Sequence, residues 1–508
     1  MGASRVAIAL ASICAFGCAA TGVAGAAPAD IDRSFGRGGT VKLVPDPRTI
    51  GAVEDMAVAA DGSVYVLGRT FSCGGGCGSE RLVRRLGPNG ADDPAFGAGG
   101  VGRVPGRIPG RTSASLAVDG EGRIAIAAIE GGGLRLIRLG ADGAVDASFG
   151  SGGSATVDMG LPLAAVEIAV QGDGRIVVAG EQDRAHGGDA VVAARYTESG
   201  FPDPTFNGGQ PVFTSLGSGF GGLALTPADR TLLVGPRCCA SHGRAVEVAG
   251  IDGSGHHHQG FGPRGVRFVD DVVREPGVGA VALSGSHIYV AGSSRIGGTA
   301  FALRLLPSGK LDRRYGQAGI VYMRRSQLRV GGAAVDRAGR LLIAGMTPRT
   351  PGMRGEFARG PLTVLRRLPS GRRDRTFAGG SLRLLGSLQT FEVVAFELQE
   401  RRKPVVLVDD RYCSRGCSPS GGVLVRFLGG TSGARCRGRR ATIVGTRRGE
   451  RLVGTRRRDV IAALGGNDAV LGRGGNDLIC GGGGDDRLIG GRGRDLLLGG
   501  PGRDRGRQ

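Results

Sequence analysis

Acidic residues recur at every ninth position in the C-terminal part of the chain. They are Glu450, Asp459, Asp468, Asp477, Asp486, Asp495 and Asp504. Glycines cluster before most of them, and an aliphatic residue stands two positions after each of the first six. This composition predicts a glycine turn followed by a short strand in each unit, so that two units complete one coil.

Stacked coils would bring the carboxylates of successive coils close together. Asp468 would lie against Asp486, and Asp477 against Asp495, at the strand spacing of about 4.8 Å. Like charges at such a separation repel each other. Ca²⁺ would remove the repulsion, because it accepts carboxylate oxygens together with the backbone carbonyl oxygens that a glycine turn exposes. The spacing therefore predicts calcium binding, and a largely disordered tail without the ion.

The candidate ligands are the aspartates of this repeat and the polar residues before them. They are Asp459, Asn467, Asp468, Asn476, Asp477, Asp485, Asp486, Asp495 and Asp504. Of these, Asp468, Asp477, Asp486 and Asp495 are expected to be the main ligands. Thr455 replaces a glycine, and Arg458 replaces the polar residue before Asp459, so the first copies are expected to cap the coil. A metal-free glycine-rich coil is the alternative.

The pattern G-G-x-G-x-D-x-U-x, in which U is a large aliphatic residue, resembles the repeats-in-toxin, or hemolysin-type, calcium-binding family. The clearest copy is Gly481-Gly482-Gly483-Gly484-Asp485-Asp486 followed by Leu488. The resemblance covers residues 445–508 and implies a parallel β-roll with Ca²⁺ as its cofactor.

A second repeat precedes the first and consists of an aspartate followed three residues later by an aromatic residue. Its aromatic residues are Phe35, Phe96, Phe149, Phe206, Phe261, Tyr315 and Phe377, separated by 61, 53, 57, 55, 54 and 62 residues. Between them, short apolar runs such as Val64-Tyr65-Val66-Leu67 alternate with Asp-Gly turns, which predicts strands and hairpins.

Seven units of three or four strands predict an all-β chain, namely a seven-bladed β-propeller followed by a C-terminal parallel β-roll. The last apolar run, Val423 to Leu428, is expected to complete a blade that begins near the N-terminus. The phrase D-x-[ST]-[FY]-G with its following D-G turn resembles the bacterial delta-60 repeat over roughly residues 30 to 430. That resemblance implies a propeller fold and no particular reaction.

The repeated aspartate and aromatic residues have a structural explanation. The carboxylate can cap a turn, and the ring can fill the space between blades. His256, His257 and His258 occupy the place where the fifth copy lacks its aspartate. Neighbouring side chains on an extended segment point in opposite directions, so a loop insertion is expected there rather than a metal site.

The N-terminus predicts export. Arg5, an apolar run from Val6 to Cys18 and Ala24-Gly25-Ala26 describe a cleavable secretory signal. No second apolar segment of membrane length follows it, so the mature chain is expected to be secreted, extracellular or associated with the cell surface. A lipid anchor at Cys18 is an alternative that the sequence leaves open.

Removal of the signal leaves eight of the ten cysteines, which predicts disulfides in an exported chain. The simplest pairings are Cys73 with Cys77, Cys413 with Cys417, and Cys436 with Cys480. The predicted organisation is a signal peptide at 1–26, the propeller at 27–430, a basic linker at 431–444 and the calcium-binding roll at 445–508.

Charge and motifs narrow the class of function. The net charge of +21 favours anionic partners, but the arginines are spread over all repeats, so specific nucleic-acid binding is not expected. An anionic cell-surface polymer or another envelope protein is the expected partner. The sequence contains no H-E-x-x-H, P-loop or G-x-S-x-G motif.

The sequence therefore predicts a secreted, non-enzymatic calcium-binding repeat protein. Its propeller would serve as an interaction scaffold, in cell-surface binding or adhesion. The alternative is a secreted lyase or hydrolase whose catalytic residues lie on the variable propeller loops, around Cys73 to Cys77, Arg184 to His186 or Cys238 to His242.

Overall fold

The computed structural model describes residues 31–32, 34–43, 52–70, 79–108, 113–130, 133–160, 162–182, 190–214, 216, 219–237, 245–270, 272–294, 298–324, 326–347, 362–374, 377, 381–384, 392–399, 403–409, 422–427, 435–441, 443–445, 449 and 451–508. Within these ranges no helix is both long and apolar enough to cross a membrane.

Apolar, β-branched segments separated by Asp-Gly turns form seven four-stranded antiparallel sheets, which are the blades of a propeller. Blades 1 to 4 contain β2 (Ala52–Val58), β3 (Val64–Arg69), β4 (Ser79–Leu86), β5 (Val101–Ile108); β6 (Ala114–Val118), β7 (Ile124–Glu130), β8 (Gly133–Leu139), β9 (Ser154–Val157); β10 (Leu163–Val170), β11 (Ile176–Gln182), β12 (Val191–Tyr196), β13 (Val212–Thr214); β14 (Gly222–Leu225), β15 (Thr231–Arg237), β16 (Ala245–Ile251) and β17 (Val266–Val269). Blades 5 to 7 contain β18 (Pro276–Ser284), β19 (His287–Ser294), β20 (Ala300–Leu305), β21 (Ile320–Met323); β22 (Arg329–Val335), β23 (Leu341–Met346), β24 (Leu362–Arg367), β25 (Ser381–Leu384); β26 (Glu392–Gln399), β27 (Lys403–Asp409), β28 (Gly422–Arg426) and the N-terminal β1 (Thr40–Lys42). The predicted seven-bladed propeller is confirmed.

The two ends of the propeller meet in one sheet. Strand β1 pairs antiparallel with β28, with Thr40 opposite Val425 and Lys42 opposite Val423. The N-terminal segment therefore supplies the outermost strand of blade 7, as the apolar run at 423–428 led us to expect. This closure packs every sheet between two others. An open array would instead leave its first and last sheets uncovered on one side.

An arginine, an aspartate and an aromatic ring join successive blades. In blade 3, Arg195 lies 2.7 Å from Asp203 and its guanidinium lies 4.8 Å from the ring centre of Phe206. Asp203 also accepts the backbone N–H of Thr205 at 2.9 Å, so its carboxylate caps the turn. The same arginine–aspartate pair recurs as Arg85–Asp93, Arg138–Asp146, Arg304–Asp312, Arg366–Asp374 and Arg426–Asp32.

Blade 4 has lost both members of this pair together. Gly250 stands at the arginine position and His258 at the aspartate position, since the His258 N–H donates to the Gly250 carbonyl as that of Asp203 does to Arg195. A Cβ at Gly250 would lie 2.9 Å from the ring of Phe261, and His258 meets this ring edge to face at 5.8 Å. The three histidines therefore lie in the regular turn of the repeat, with the same eight-residue spacing as Arg195 and Asp203, so the expected loop insertion is wrong.

The nine-residue repeats form a parallel solenoid of two facing sheets. One sheet contains β31 (Ile443–Val444), β33 (Val460–Ala462), β35 (Leu478–Cys480) and β37 (Leu496–Leu498); the other contains β32 (Arg451–Val453), β34 (Ala469–Gly474), β36 (Arg487–Arg492) and β38 (Arg505–Arg507). Residues one coil apart are in register, as are Ile461 and Ile479. The aliphatic residues of the repeat fill the space between the sheets, and Leu452, Val470 and Leu488 are at most 3% exposed. The predicted parallel β-roll is confirmed.

The segment before the roll, predicted as a linker, contains a two-stranded hairpin of β29 (Arg435–Cys436) and β30 (Arg439–Arg440). A disulfide joins Cys436 to Cys480 on the central strand β35, and Cys436 is fully buried. The hairpin thereby covers the outer face of one roll sheet. The other cysteines proposed to pair, Cys73, Cys77, Cys413 and Cys417, lie outside the described residues.

Candidate calcium-binding site

Six aspartates of the roll form two stacks, and the members of each stack directly precede the strands of one sheet. Asp459, Asp477 and Asp495 precede β33, β35 and β37, and Asp468, Asp486 and Asp504 precede β34, β36 and β38. Because the strands are parallel and in register, each aspartate is followed in the next coil by another. The structure thus brings the main predicted ligands together as the ninefold spacing implies.

One carboxylate oxygen holds the stack in each of four aspartates, namely Asp477, Asp486, Asp495 and Asp504. The Oδ1 atom of Asp477 accepts the backbone N–H of Asp459 at 2.8 Å, and that of Asp486 accepts the N–H of Asp468 at 2.8 Å. The Oδ1 atom of Asp495 accepts the N–H of Asp477 in the same way. These charge-assisted bonds orient the carboxylates. They use only the Oδ1 atom of each carboxylate and do not involve its Oδ2 atom.

The second oxygens are buried without a hydrogen-bond donor. Among the described residues, the Oδ2 atoms of Asp477, Asp486 and Asp495 have no hydrogen-bond partner. A buried anionic oxygen without a partner is costly, so its presence in a native fold requires an explanation such as a bound cation. These three oxygens are what an ion with a preference for oxygen ligands would neutralise.

Glycines keep the space around these oxygens open. A Cβ atom at Gly472 would lie 2.5 Å from Asp477 Oδ2, and one at Gly481 would contact Asp486 Oδ2. The carbonyl oxygen of Gly499 lies 2.7 Å from the same place at Gly481. A side chain at Gly472 or Gly481 would therefore fill the space in which the carboxylate and carbonyl oxygens converge, whereas the equivalent place before Asp468 is occupied by Ala463.

The first coil differs at Thr455, which occupies the place of Arg473 and Gly491 in the two coils that follow. The Oδ2 atom of Asp459 accepts the backbone N–H of Thr455 at 2.6 Å and its hydroxyl at 2.9 Å. This oxygen therefore already has two donors, unlike its counterpart in Asp477. The prediction that Asp459 is a weaker ligand has a physical basis in this substitution.

The polar residues before the aspartates form a separate ladder. The Asn467 Oδ1 atom accepts the N–H of Asp485 at 2.9 Å, Asn476 accepts that of Arg494 at 3.0 Å, and Asp485 accepts that of Arg503 at 2.9 Å. Asn467, Asn476 and Asp485 are exposed. The structure thus does not bring these three predicted ligands to the buried Oδ2 atoms, but uses them to hold the turns in register.

The pKa values of two stacked aspartates, one in each stack, are raised. Burial raises the pKa of Asp477, and the neighbouring carboxylates of Asp459 and Asp495 raise it further. Burial also raises the pKa of Asp486, with Asp504 and Asp485 adding to the effect. In both cases a backbone N–H lowers the pKa in part.

An ion in the roll would need backbone ligands as well as carboxylates. In the described part of the chain, no three His, Cys, Asp or Glu side chains lie close enough together to hold a metal by themselves. Ca²⁺ takes six to eight oxygen ligands and accepts carbonyl oxygens readily. The glycine carbonyls beside the Oδ2 atoms are therefore the expected complement, and the donor set fits calcium better than Zn²⁺, which prefers nitrogen and sulfur.

The propeller contains a group of carboxylates on its innermost strands that the sequence reasoning missed; Asp55 and Glu167 are half-buried and Glu397 is exposed. Asp55, Glu167 and Glu397 lie on β2, β10 and β26, the innermost strands of blades 1, 3 and 7. Asp55 accepts the hydroxyl of Ser115 at 2.7 Å, and Glu167 accepts the backbone N–H of Leu223 at 2.7 Å. Each of these two carboxylates thus satisfies a donor on the innermost strand of the next blade.

The surroundings shift the titration of all three groups. Desolvation raises the pKa of Asp55 to about 6, and desolvation together with the Asp55 charge raises the pKa values of Glu167 and Glu397 to about 7. The register with the second strand places Gly222 and Ala280 at the positions equivalent to Asp55. A carboxylate in an otherwise Gly- and Ala-rich inner strand is the sequence signal that would have found this group.

The variable loops proposed for an enzyme site, Cys73 to Cys77, Arg184 to His186 and Cys238 to His242, lie outside the described residues. Two cavities of about 270 and 370 Å³ adjoin blades 2 and 3, and Asp158 is the one ionisable residue that lines both of them. The second is lined by Tyr196, whose pKa burial raises to about 12. Apart from Asp158 and Tyr196, no ionisable side chain of the described residues lines either cavity.

Comparison with known families supports both repeat assignments. Residues 444–479 and 481–505 match the family described as RTX calcium-binding nonapeptide repeat, in four copies. Residues 171–206 match the family described as "Domain of unknown function (DUF5122) beta-propeller". The resemblances stated from the two sequence repeats are therefore confirmed. A comparison with curated proteins finds no match.

Solved structures resemble this chain only at low identity and low TM-score. Hydrazine synthase of Kuenenia stuttgartiensis is 12% identical, with a TM-score of 0.42, over 70% of this chain and 92% of that chain. Sqt1 from Chaetomium thermophilum is 12% identical, with a TM-score of 0.41, over 74% and 96%. The polysaccharide lyase Uly1 is 11% identical, with a TM-score of 0.44, over 74% and 89%. At these values the likeness carries no argument about activity.

Proposed function

We propose that this chain is an exported calcium-binding protein whose propeller is a non-catalytic interaction scaffold, acting in cell-surface binding or adhesion. The chain carries nonapeptide repeats of a calcium-binding family together with a β-propeller. The observation that carries the proposal is the set of buried Oδ2 atoms of Asp477, Asp486 and Asp495, which have no hydrogen-bond partner among the described residues.

The roll residues would hold the ion in a defined way. The carboxylates of Asp477, Asp486 and Asp495 supply the negative charge, and the glycine carbonyls beside them supply neutral oxygens. Calcium would neutralise carboxylates that otherwise repel each other across the coils. The bound ion would therefore contribute directly to the folding free energy of the roll.

The predicted export signal and the disulfide of the roll agree with the proposal that this protein acts outside the cytoplasm. The predicted signal at 1–26 would direct the chain to a compartment in which disulfides persist, and the Cys436–Cys480 bond is of the kind found there. An anionic surface polymer or another envelope protein remains the proposed partner.

Hydrogen exchange of the whole mature chain, with calcium and with a chelator, tests the proposal. We expect calcium to protect the amides of 451–508 and to leave those of blade 3 unchanged. Asp477→Asn with Asp486→Asn should abolish the protection, because the buried negative charge is lost. Asp485→Asn is the matched control, since asparagine keeps the oxygen that accepts the Arg503 N–H. Equal exchange of the roll in both conditions would refute calcium binding.

A further inference from the structure

Charges in the roll are sorted between its interior and its surface. Residues 451–508 contain eleven arginines and seven aspartates, with no lysine or glutamate. All eleven arginines are exposed, whereas Asp459, Asp468, Asp477, Asp486 and Asp495 are at most 7% exposed. Calcium on the buried carboxylates would leave the outer surface almost purely cationic.

Four of these arginines lie at one edge of the roll, where β34 and β36 end and each coil continues into β33, β35 or β37. Residues one coil apart occupy equivalent places, so Arg456 and Arg492 lie on either side of Gly474. A Cβ at Gly474 would lie 3.9 Å from the Arg456 Cα and from the Arg492 Cβ. Arg458 and Arg494 lie likewise on either side of Asn476.

The four arginines form the rims of a trough with a floor of small residues. Its floor is the middle coil, at Gly474, Gly475 and Asn476, and its rims are the coils before and after it. Two coil spacings separate the rims, which is about 10 Å. A floor without large side chains would allow a linear chain to approach the backbone, within reach of the long arginine side chains of both rims.

We propose that this rimmed trough, formed by Arg456, Arg458, Arg492 and Arg494 in the calcium-loaded roll, binds a linear anionic polysaccharide. The inference rests on the proposed calcium binding, because the rims face each other only when the coils are in register. Guanidinium groups pair bidentately with carboxylate, sulfate and phosphate groups, which makes an arginine rim suited to such a chain.

The same features disfavour nucleic acids. A DNA duplex is wider than the trough, and reading it requires an element that enters one of its grooves. Single strands are held largely by base stacking on aromatic side chains, and residues 451–508 contain no Phe, Tyr or Trp. A sugar chain needs neither feature.

Binding of heparin, a sulfated linear polysaccharide, to the whole mature chain tests the proposal at a buffered free calcium concentration. The rim variant carries Arg456→Gln, Arg458→Gln, Arg492→Gln and Arg494→Gln, and the control variant carries Arg451→Gln, Arg487→Gln, Arg505→Gln and Arg507→Gln. Both lose four charges. We expect the rim variant to bind about tenfold more weakly or worse, with a shallower salt dependence, and the control to lose about threefold or less.

Each outcome has a defined meaning. An equal loss in both variants, or no loss in either, would overturn the trough, and duplex DNA or anionic vesicles binding as tightly as heparin would overturn the ligand class. Chelation should abolish the binding. Hydrogen exchange of the same samples separates the two proposals: a roll protected by calcium that fails to bind heparin refutes only this one, whereas an unprotected roll refutes calcium binding.

Discussion

A single side chain decides whether an aspartate of the roll has an available oxygen. Thr455 donates twice to Asp459 Oδ2, whereas the equivalent oxygens of Asp477 and Asp495 have no donor in the described structure. The three aspartates have the same spacing, so the difference arises from one substitution in the turn. The missing glycine alone does not predict this difference, because Arg473 also departs from glycine four residues before Asp477; the hydrogen bonds of Thr455 reveal it.

Thr455→Gly is therefore expected to strengthen calcium binding at the first coil. Loss of the hydroxyl removes one of the two donors to Asp459 Oδ2 and leaves the backbone N–H of residue 455 as the other, so this oxygen regains a lone pair for an ion. Calorimetric titration of the whole chain should show a higher stoichiometry or a tighter weakest site. Thr455→Ser, which keeps the hydroxyl, is the control and should bind as the unmodified chain does. An unchanged titration for Thr455→Gly would show that Asp459 is not a ligand.

Secondary elements show how much of the propeller the sequence could predict. The periodic aromatic residues and Asp-Gly turns predicted the blades, and the proposed roles of Asp203 and Phe206 agree with their contacts. The partner, Arg195, was missed although an arginine stands eight residues before the aspartate in five repeats. Arginine is so frequent in this chain that its spacing carries little weight until the third strand is known to bring it back over the turn.

Asp203→Ala should destabilise the propeller by about 3–5 kcal/mol, because it leaves the guanidinium of Arg195 buried without its anion. Arg195 and Asp203 are only 5% and 2% exposed. The double variant Arg195→Gly with Asp203→His reproduces Gly250 and His258 of blade 4, and should recover at least about 1 kcal/mol relative to Asp203→Ala. Urea unfolding measures both. A double variant that is less stable than Asp203→Ala would contradict the exchangeability of the two arrangements.

The hairpin before the roll contributes through its covalent bond. Cys436 and Cys480 are 44 residues apart, and closing such a loop restricts the unfolded roll by about 4 kcal/mol. Anything that favours the folded roll also favours ion binding, since the two are linked. Cys436→Ser with Cys480→Ser should therefore shift the calcium midpoint of roll protection to higher concentration. A midpoint identical to that of the oxidised chain would show that the roll folds independently of the hairpin.

The grouping of three carboxylates inside the propeller depends on the whole ring, and no single repeat predicts it. Asp55, Glu167 and Glu397 come from blades 1, 3 and 7, and the Asp55 charge raises the pKa of the other two groups. Their proximity depends on closure of the ring and on the register of the innermost strands. A local sequence pattern contains neither, so the ring was predictable while this acidic group was not.

This group should make the propeller more stable in mild acid. A carboxyl whose pKa is raised on folding binds its proton more tightly in the native state, so the stability it contributes is complete below its ordinary pKa and is lost as the pH rises through about 6 to 7. The triple variant Asp55→Asn, Glu167→Gln, Glu397→Gln keeps the hydrogen-bond acceptors and removes the charges. Its unfolding free energy relative to the unmodified chain should therefore increase between about pH 5 and pH 8. Glu121→Gln, at an exposed turn of blade 2, should show no such trend, and a triple variant without the trend would mean that the three carboxylates are ionised in the native ring at both pH values.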